Sequence, residues 1–162
     1  MILKLDHRTR EIAEQIDKIQ KESYRVEASL IGYNMIPYLA HGVEQLMGSG
    51  EIFLGYMDDK ILAGLLSYEV IESGILDICR LAVLPEFFGR GIATELVMEV
   101  EKREPGFKKI FVQTARDNHP AVNLYRKLGY LTFKEFETPD GLPIIRFLKE
   151  PGIQPAVTYY SG

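Results

Sequence analysis

The stretch "ICRLAVLPEFFGRGIATELV", residues 78–97, constrains the fold of this chain more than any other. An apolar run typical of a buried strand is interrupted by Pro85, passes Gly89 and Gly91, and continues with the periodicity of a helix. The first turn of a helix has N–H groups without intrahelical partners and carries the positive end of the helix dipole, so it attracts phosphate. This order of strand, kink and helix start therefore predicts either a tight turn or an anion site that includes Thr94.

Two common phosphate-binding motifs do not fit this stretch. A P-loop requires Gly-Lys-Ser/Thr, which is missing from it. The dinucleotide fingerprint requires a third Gly or Ala where Thr94 stands, and an acidic residue at the end of the next strand, which reads "KKIFVQTA". An oxidoreductase that binds a nucleotide through Gly89 and Gly91 is therefore disfavoured, and a different phosphate ligand is expected.

Hydrophobic periodicity predicts that the chain begins largely helical. Residues 2–5 suit a short strand, and apolar residues at steps of three and four after Thr9 predict a helix of about 20 residues. A second helical segment is predicted to begin at Pro37 and to end at the "GSG" of residues 48–50.

The pattern then changes to that of strands. Three strands in succession are predicted at "EIFLGYM", "ILAGLLSYEV" and "ILDICRLAV", and a closing hairpin at "LTFKEFE" and "LPIIRFL". Helices predicted over Ile92–Arg103 and Pro120–Leu128 flank the strand "KKIFVQTA". A strand, helix, strand order implies a parallel pair inside the sheet, so the fold class is α+β with a mixed sheet.

Length and composition indicate one soluble domain. The chain has 162 residues, 46% of them hydrophobic, so we expect one domain over residues 1–150 and an irregular tail over residues 151–162. No apolar run approaches the roughly 18 residues of a membrane span, and the first residues lack the apolar segment of a signal peptide. The single cysteine, Cys79, suits a reducing compartment. A cytoplasmic protein without a membrane partner is expected.

Charge and side-chain chemistry exclude further classes. The formal net charge of −4, without a cluster of basic residues interleaved with aromatics, argues against a nucleic-acid partner. The residues His7, His41 and His119 stand far apart at element ends, so no metal site is expected. Cys79 has no base beside it in sequence and is interpreted as a buried apolar residue, not as a catalytic thiol.

Two motifs of the chain resemble those of the GNAT superfamily of acyl-CoA-dependent N-acyltransferases. The family's Leu-x-Val-x-Pro strand end and Gln/Arg-x-x-Gly-x-Gly/Ala loop are matched by "LAVLPEFFGRG", except that Glu86 occupies the Gln/Arg position and Phe88 precedes Gly89. The later motif Asn-x-x-Ala-x-x-Leu-Tyr-x-x-x-Gly-Phe/Tyr is matched at every fixed position, by Asn118, Ala121, Leu124, Tyr125, Gly129 and Tyr130. The order of elements also agrees along nearly the whole chain. The resemblance implies a mostly antiparallel sheet with a splayed parallel pair and helices on both faces.

The resemblance also implies an acetyl-CoA site. The residues that would wrap the pyrophosphate are Phe88, Gly89, Arg90, Gly91, Ile92, Ala93 and Thr94. The pantetheine arm would lie in the gap beside the strand segment Leu81, Ala82 and Val83, whose backbone groups would meet the arm and the thioester oxygen. Asn118 would face the arm, and a role as N-cap of the following helix is equally compatible with its position.

Acyl transfer to an amine requires a base, because an amine with a pKa near 10.4 is mostly cationic at neutral pH. Asp77 is favoured, since it lies in an apolar run six residues before Val83, where some members of the family place a catalytic glutamate. An ion pair with Arg80 is the alternative role of Asp77. Glu27, beside Tyr24 at the end of the first helix, and Glu69 are further candidates, and a water chain without a single base stays open.

The reaction also requires an acid, because a departing thiolate with a pKa near 8.5 benefits from protonation. In the family the tyrosine that matches Tyr125 directs its hydroxyl at the CoA sulfur. Burial of Tyr125 as ordinary packing is the alternative, since its helix is apolar at neighbouring positions.

The predicted function is acetyl transfer from acetyl-CoA to a primary amine, and the alternative is a non-catalytic module that binds acyl-CoA. The acceptor is a small molecule or a peptide, and the sequence leaves a homodimer open. Acidic residues in the helical N-terminal part favour a cationic acceptor, unless they form a solvated helix face; they are Glu11, Glu14, Asp17, Glu22, Glu27 and Glu44. The aromatics Tyr24, Tyr33 and Tyr38 line an acceptor pocket or pack in the core.

Overall fold

A computed structural model describes residues 1–32 and 42–152 of the chain. The strands are β1 (Ile2–Lys4), β2 (Ile52–Asp58), β3 (Ile61–Glu72), β4 (Ile75–Val83), β5 (Lys109–Ala115), β6 (Leu131–Glu137) and β7 (Pro143–Lys149). The helices are α1 (Arg10–Ile31), α2 (Val43–Met47), α3 (Ile92–Arg103) and α4 (His119–Lys127), and a 3-10 turn covers Pro85–Phe87. Helix α3 has the predicted bounds, and α4 begins one residue earlier than predicted. The predicted helix start at Pro37 lies outside the described residues, as do Tyr33, Tyr38, His41 and the tail after Gly152.

The seven strands form one sheet in the order β1-β2-β3-β4-β5-β7-β6. All neighbouring strands are antiparallel except β4 and β5, which are parallel because α3 carries the chain back between them. The predicted parallel pair and the closing hairpin are therefore confirmed. The insertion of β7 between β5 and β6 is a non-local pairing that the local sequence pattern did not indicate.

The parallel pair opens at one end. Strand β4 pairs with β5 only as far as Ile78 and Val112, although β4 continues to Val83 and β5 to Ala115. The separation begins at a bulge in β4, where Cys79 has no partner on β3. A bulge bends its strand and increases the local twist, so β4 leaves β5 at this residue. The splayed pair that the resemblance implied is therefore present.

Helices α1 and α3 cover opposite faces of the sheet. Ser67 and Tyr68 are consecutive in β3, so their side chains point to opposite faces. Arg80, the cross-strand partner of Ser67, donates a hydrogen bond of 2.8 Å to Gln20 of α1. The hydroxyl of Tyr68 donates to Glu104, directly after α3, at 3.0 Å.

Helix α4 lies on the same face as α3. Phe147 and Lys149 are two residues apart in β7, so their side chains share a face. The ring of Phe147 packs against Tyr125 of α4, and the ammonium of Lys149 lies 3.1 Å from Glu101 of α3. Residues of α1 and α4 can therefore meet only through the gap between the splayed strands.

Helix α1 has two different contact surfaces along its length. Ala13, Ile16 and Ile19 are buried against the sheet, as their helical spacing predicted, and each isoleucine contributes roughly 2 kcal/mol through burial. The last turns instead direct Glu27 and its neighbours to a cleft, and Leu30 is 56% exposed there. No helix among residues 1–32 and 42–152 is both long and apolar enough to cross a bilayer.

Candidate active site

A cleft of about 630 Å³ runs from the start of α3 to the opened end of β4. Strand β4, the 3-10 turn and the first turn of α3 supply one contiguous wall, and α1 and α4 supply the other. The lining residues include nearly all of the predicted cofactor site: Leu81, Ala82, Val83, Phe88, Gly89, Gly91, Ile92, Ala93, Thr94 and Asn118. The predicted positions therefore share one surface, as an extended ligand would require.

The two glycines of the loop are needed for their backbone conformation. Gly89 and Gly91 both have φ of +78°, in the left-handed region that favours glycine. A Cβ at either position would meet nothing within 4 Å in the described part of the chain, so close packing against these residues is not the reason for glycine. Gly91 is also the N-cap of α3, and none of the described side chains caps this helix. The tight turn leaves the first amides of α3 at the end of the cleft, where an anion can accept from them.

Of the two side chains that flank Gly89, only that of Arg90 departs from the cofactor role that the resemblance implied. The guanidinium of Arg90 lies 3.8 Å from Asp58 and 4.9 Å from the ring centre of Phe87, and Arg90 does not line the cleft. Phe88, at the position before Gly89, lines the cleft and is 46% exposed. The end of the cleft is therefore formed by backbone, apolar side chains and the hydroxyl-bearing Thr94.

A smaller cavity of about 130 Å³ lies between the separated ends of β4 and β5. Its walls come from α1, β4, β5 and α4: Tyr24, Glu27, Ile78, Cys79, Arg80, Leu81, Val112, Gln113, Thr114, Asn118, Ala121 and Tyr125. Four residues line both this cavity and the cleft, namely Glu27, Leu81, Asn118 and Ala121. We call the place where the two spaces meet the junction.

Glu27 and Asn118 face each other at the junction. The side chain of Asn118 caps α4 by accepting from the backbone N–H of Ala121 at 3.3 Å, so the predicted N-cap role is confirmed. It also hydrogen-bonds the carboxylate of Glu27. Burial raises the pKa of Glu27 above its ordinary value, and the hydrogen bond from Asn118 opposes part of that rise. The carboxylate is thus poised to exchange a proton nearer to neutral pH.

Tyr125 lines the smaller cavity from α4 and is 3% exposed. Its ring packs against Tyr130 and Phe147, with centroid distances of 5.6 and 5.7 Å, which fixes its position. Burial raises the pKa of the Tyr125 hydroxyl above its ordinary value, and the charge of Glu27 raises it further. The hydroxyl therefore keeps its proton at neutral pH and is able to donate it or to donate a hydrogen bond.

Arg80, which lines the smaller cavity, belongs to a buried ion pair. Its Nε and Nη2 donate to the two oxygens of Glu51 at 2.9 and 3.1 Å, and Nη1 donates to Gln20. Ser49 and Ser67 also donate to the Glu51 carboxylate. Burial acts to raise the pKa of Glu51, but these hydrogen bonds outweigh it and hold the pKa below its ordinary value. The wall of the cavity is thus held by a charged network.

Asp77 lies outside both cavities. Its carboxylate is 3.5 Å from Arg146 of β7. Asp77 therefore forms an ion pair, but with Arg146 and not with Arg80, as the sequence had suggested. Arg80 is engaged by Glu51, on the other side of the bulge. Burial raises the pKa of Asp77, Arg146 opposes the rise, and Glu69 on the adjacent strand adds to it. Glu69 is exposed and lines neither cavity.

Cys79 lines the smaller cavity at the bulge. Burial raises the pKa of its thiol to about 12, and the carboxylates of Glu51, Asp77 and Glu69 contribute to the rise. Only the thiolate is a good nucleophile, so this thiol is inert at neutral pH. Cys79 is only partly buried and borders a cavity, whereas the sequence-based interpretation made it a buried apolar residue.

The acidic residues of the N-terminal part do not act as a group. Glu44 pairs with Arg10 on the surface and the partly buried Asp17 pairs with Lys21, and of the six only Glu27 lines the cleft or the smaller cavity. The other five line neither space: Glu11, Glu14 and Glu44 are exposed, Asp17 and Glu22 are partly buried, and Glu44 lies on α2 instead of α1. In the described part of the chain, no cluster of three or more His, Cys, Asp or Glu side chains is arranged to hold a metal ion.

Sequence reasoning missed the side chains that complete the smaller cavity. Gln113 and Thr114 line it from β5, and Glu51 and Gln20 hold Arg80 in its wall. One signal was available, since an arginine inside the apolar run of β4 requires a buried partner. Nothing local identifies that partner, because Glu51 and Gln20 are distant in sequence.

Comparisons with known proteins agree with this geometry. The model of the acetyltransferase (GNAT) family matches residues 13–130. UPF0157 protein YqkA of Bacillus subtilis (strain 168) is 34% identical over 161 residues, which are 99% of this chain and 47% of that protein. The chain therefore spans about half the length of this relative.

Two solved structures share the fold. That of aminoglycoside 6'-acetyltransferase type Ii has a TM-score of 0.74 and 20% identity, and the match covers 96% of this chain and 99% of that one. The PaiA N-acetyltransferase of Thermoplasma acidophilum, solved in complex with coenzyme A, has a TM-score of 0.71 and 22% identity, over 90% and 96% of the two chains. At such identities the likeness establishes the fold alone. Acetyl-CoA is the co-substrate typical of the matched family, and with the family model covering most of the described sheet, the chain belongs to the acetyltransferase (GNAT) family.

Proposed function

We propose that this chain transfers the acetyl group of acetyl-CoA to a primary amine at the junction. The observation that carries the proposal is the junction itself. There a cleft that begins at an uncapped helix start meets a cavity that contains a carboxylate, a phenol and a guanidinium. Such a pair of spaces suits a long ligand with an anionic end and a second substrate that approaches its other end.

The cofactor would bind mainly through backbone groups. Its pyrophosphate would lie on the amides at the start of α3, within the segment from Phe88 to Thr94. The arm would run beside Leu81, Ala82 and Val83, where β4 has no partner on the side of β5. Arg90 is a peripheral member of this proposed site because its side chain contacts Asp58.

Glu27 is our first candidate for the base. It lines the junction, and its raised pKa suits acceptance of a proton near neutral pH. The amine nitrogen would form a bond to the thioester carbon as Glu27, directly or through one water, takes a proton from it. Asp77, which the sequence favoured as the base, lies outside both cavities and contacts Arg146. It is therefore the alternative base, and a comparison of the Glu27 and Asp77 variants distinguishes the two.

Tyr125 is the proposed acid. The carbon–sulfur bond breaks as the amide forms, and the sulfur that departs receives the hydroxyl proton of Tyr125 or a strong hydrogen bond from it. Because the pKa of Tyr125 is raised, its proton is present throughout the neutral range. Packing of the ring against Tyr130 and Phe147 holds the hydroxyl in place, so the packing role and the catalytic role support each other.

The smaller cavity indicates the kind of acceptor. A volume of about 130 Å³ accommodates the reactive end of an amine, with the rest of the acceptor outside. The positive charge of Arg80 is compensated by Glu51, which leaves Glu27 as the uncompensated charge in the described cavity wall and favours a cationic amine. A cytoplasmic location and the absence of a nucleic-acid partner remain our predictions from composition.

The test is release of free thiol from acetyl-CoA with a panel of small amines and peptides. Amine-dependent release of coenzyme A that Tyr125→Phe abolishes supports the proposal. If calorimetry shows acetyl-CoA binding but no amine in the panel raises thiol release above the hydrolysis background, the chain is a non-catalytic acyl-CoA-binding module, the second candidate from the sequence.

A further inference from the structure

Asn118 makes two contacts that require two different atoms. Its side-chain oxygen accepts from Ala121 and caps α4, which Asp, Ser or Thr could also do. An asparagine amide has, in addition, two N–H donors. Because Asn118 is only 9% exposed, these donors cannot depend on bulk water alone.

The donor side of Asn118 meets Glu27 of α1. Helices α1 and α4 lie on opposite faces of the sheet, so this hydrogen bond crosses the gap between β4 and β5. Among the usual capping residues, aspartate lacks a donor when ionised, and serine and threonine have shorter side chains. Asparagine alone combines the cap with an N–H that reaches the carboxylate.

We propose that Asn118 is a positioning residue, which fixes the carboxylate of Glu27 at the junction by tying it to the start of α4. The inference rests on the proposed role of Glu27 as the base. It assigns to Asn118 a role beyond the wall of the cofactor cleft, because it makes the orientation of the base depend on the helix that carries Tyr125.

The other charged or titratable groups around Glu27 come from three elements. Tyr24 lies on the same helix, Cys79 and Arg80 lie on β4, and Tyr125 lies on α4, all in the described wall of the smaller cavity. Burial raises the pKa of Glu27, and the hydrogen bond from Asn118 lowers it. Without the Asn118 donor, the pKa of Glu27 should therefore rise further. The loss also leaves the carboxylate free to turn away from the junction.

The experiment compares Asn118→Ser with Asn123→Ser, the same chemical change on an exposed position of α4. Serine retains the cap, so the melting temperature should change little. In the pH profile of kcat, the lower limb of Asn118→Ser should move up by roughly one pH unit, and kcat at neutral pH should fall at least about tenfold. Asn123→Ser should match the parent, and in a Glu27→Gln background Asn118→Ser should have no further effect on the limb.

A second readout does not depend on activity. Carbon-13 titration of the Glu27 carboxyl, assigned with Glu27→Gln, should give a higher pKa in Asn118→Ser than in the parent. Asn118→Asp keeps the shape of the side chain and the cap, and should raise this pKa further because it adds a like charge. If the Asn118→Ser variant does not fold, the Glu27 pKa in Asn118→Asp tests the positioning role.

The outcomes separate the two proposals. If the parent is active, and Asn118→Ser changes neither the lower limb of the pH profile nor the pKa of Glu27, the positioning role is wrong and the proposed function still stands. A parent that acetylates no amine contradicts the proposed function, while the titration still shows whether Asn118 holds Glu27.

Discussion

The cleft and the smaller cavity, which meet at the junction, are lined by different kinds of chemical group. The cleft is formed on one side by a single stretch of sequence, from Leu81 to Thr94, which presents backbone and apolar groups and one hydroxyl, that of Thr94. The smaller cavity is formed by four separate elements and presents a carboxylate, a phenol, a guanidinium and an amide. Binding in the cleft should therefore tolerate side-chain changes and depend on backbone conformation. Chemistry in the cavity should depend on single side-chain atoms.

The largest effect is expected from Tyr125→Phe, which removes one oxygen from the cavity and leaves the ring packing intact. A positioned acid contributes a factor of about 10² to 10⁴, so kcat should fall by that much while acetyl-CoA affinity stays the same. Tyr130→Phe is the matched control, because Tyr130 is buried beside Tyr125 and its hydroxyl has no hydrogen-bond partner among residues 1–32 and 42–152. Steady-state kinetics with an amine for which chemistry limits turnover makes the comparison. Equal rates for Tyr125→Phe and Tyr130→Phe would mean that the Tyr125 hydroxyl is not the acid and that Tyr125 only lines the cavity.

A smaller loss is expected for Glu27→Gln, which keeps the size of the side chain at the junction. If Glu27 is the base, kcat at neutral pH should fall by about 10² and the lower limb of the pH profile should disappear. Asp77→Asn should retain that limb, because Asp77 is bound to Arg146 outside both cavities. The opposite result, a limb lost in Asp77→Asn and kept in Glu27→Gln, would restore Asp77 as the base.

The cleft should respond to a change of backbone instead. Gly91→Val places a β-branched residue at φ of +78°, so the turn before α3 must shift and acetyl-CoA affinity should fall about tenfold, or 1.4 kcal/mol. Gly106→Val is the control, because its Cβ also meets open space but its φ is not positive. Calorimetry measures both. Unchanged acetyl-CoA binding by a folded Gly91→Val variant would contradict the assignment of the pyrophosphate to this turn.

The smallest effect concerns stability and pH. The pKa of Glu27 is raised in the folded chain, so the folded state binds this proton more tightly than the unfolded state does. The stability that this proton supplies is complete below the unfolded pKa and is lost as pH rises through the folded pKa. Glu27→Gln should therefore gain stability relative to the parent as the pH rises from about 4 to about 8. Urea unfolding at the two pH values measures the difference, and a parallel pH dependence of both proteins would argue against the raised pKa.

The same contrast explains what could be predicted from the sequence. The strand, the turn and the helix around Gly89 and Gly91 are local, because proline, glycine and apolar spacing act within a few residues. The predicted bounds of α3 are therefore those of the structure, and the predicted cofactor residues share one cleft, apart from Arg90 and Tyr125. The separation of β4 from β5 was predicted only from the resemblance to a family, because no local sequence pattern indicates it.

The cavity could be predicted only in part, because it depends on pairings between distant residues. Glu27 and Asn118 meet across the sheet, and Arg80 finds Glu51 through a strand pairing, so neither contact has a local signature. Asp77 was favoured because it is a carboxylate in an apolar strand. Pleating and the bulge at Cys79 decide which residues of that strand reach the gap, and Asp77 precedes the bulge.

The most direct test of the account is a crystal structure of the chain with acetyl-CoA or coenzyme A. The account predicts that the pyrophosphate lies on the amides at the start of α3 and that the arm runs beside Leu81 to Val83. The sulfur should then lie at the junction, within hydrogen-bond reach of the Tyr125 hydroxyl. A sulfur that lies away from Glu27 and Tyr125, or a cofactor bound outside the cleft, would contradict the account.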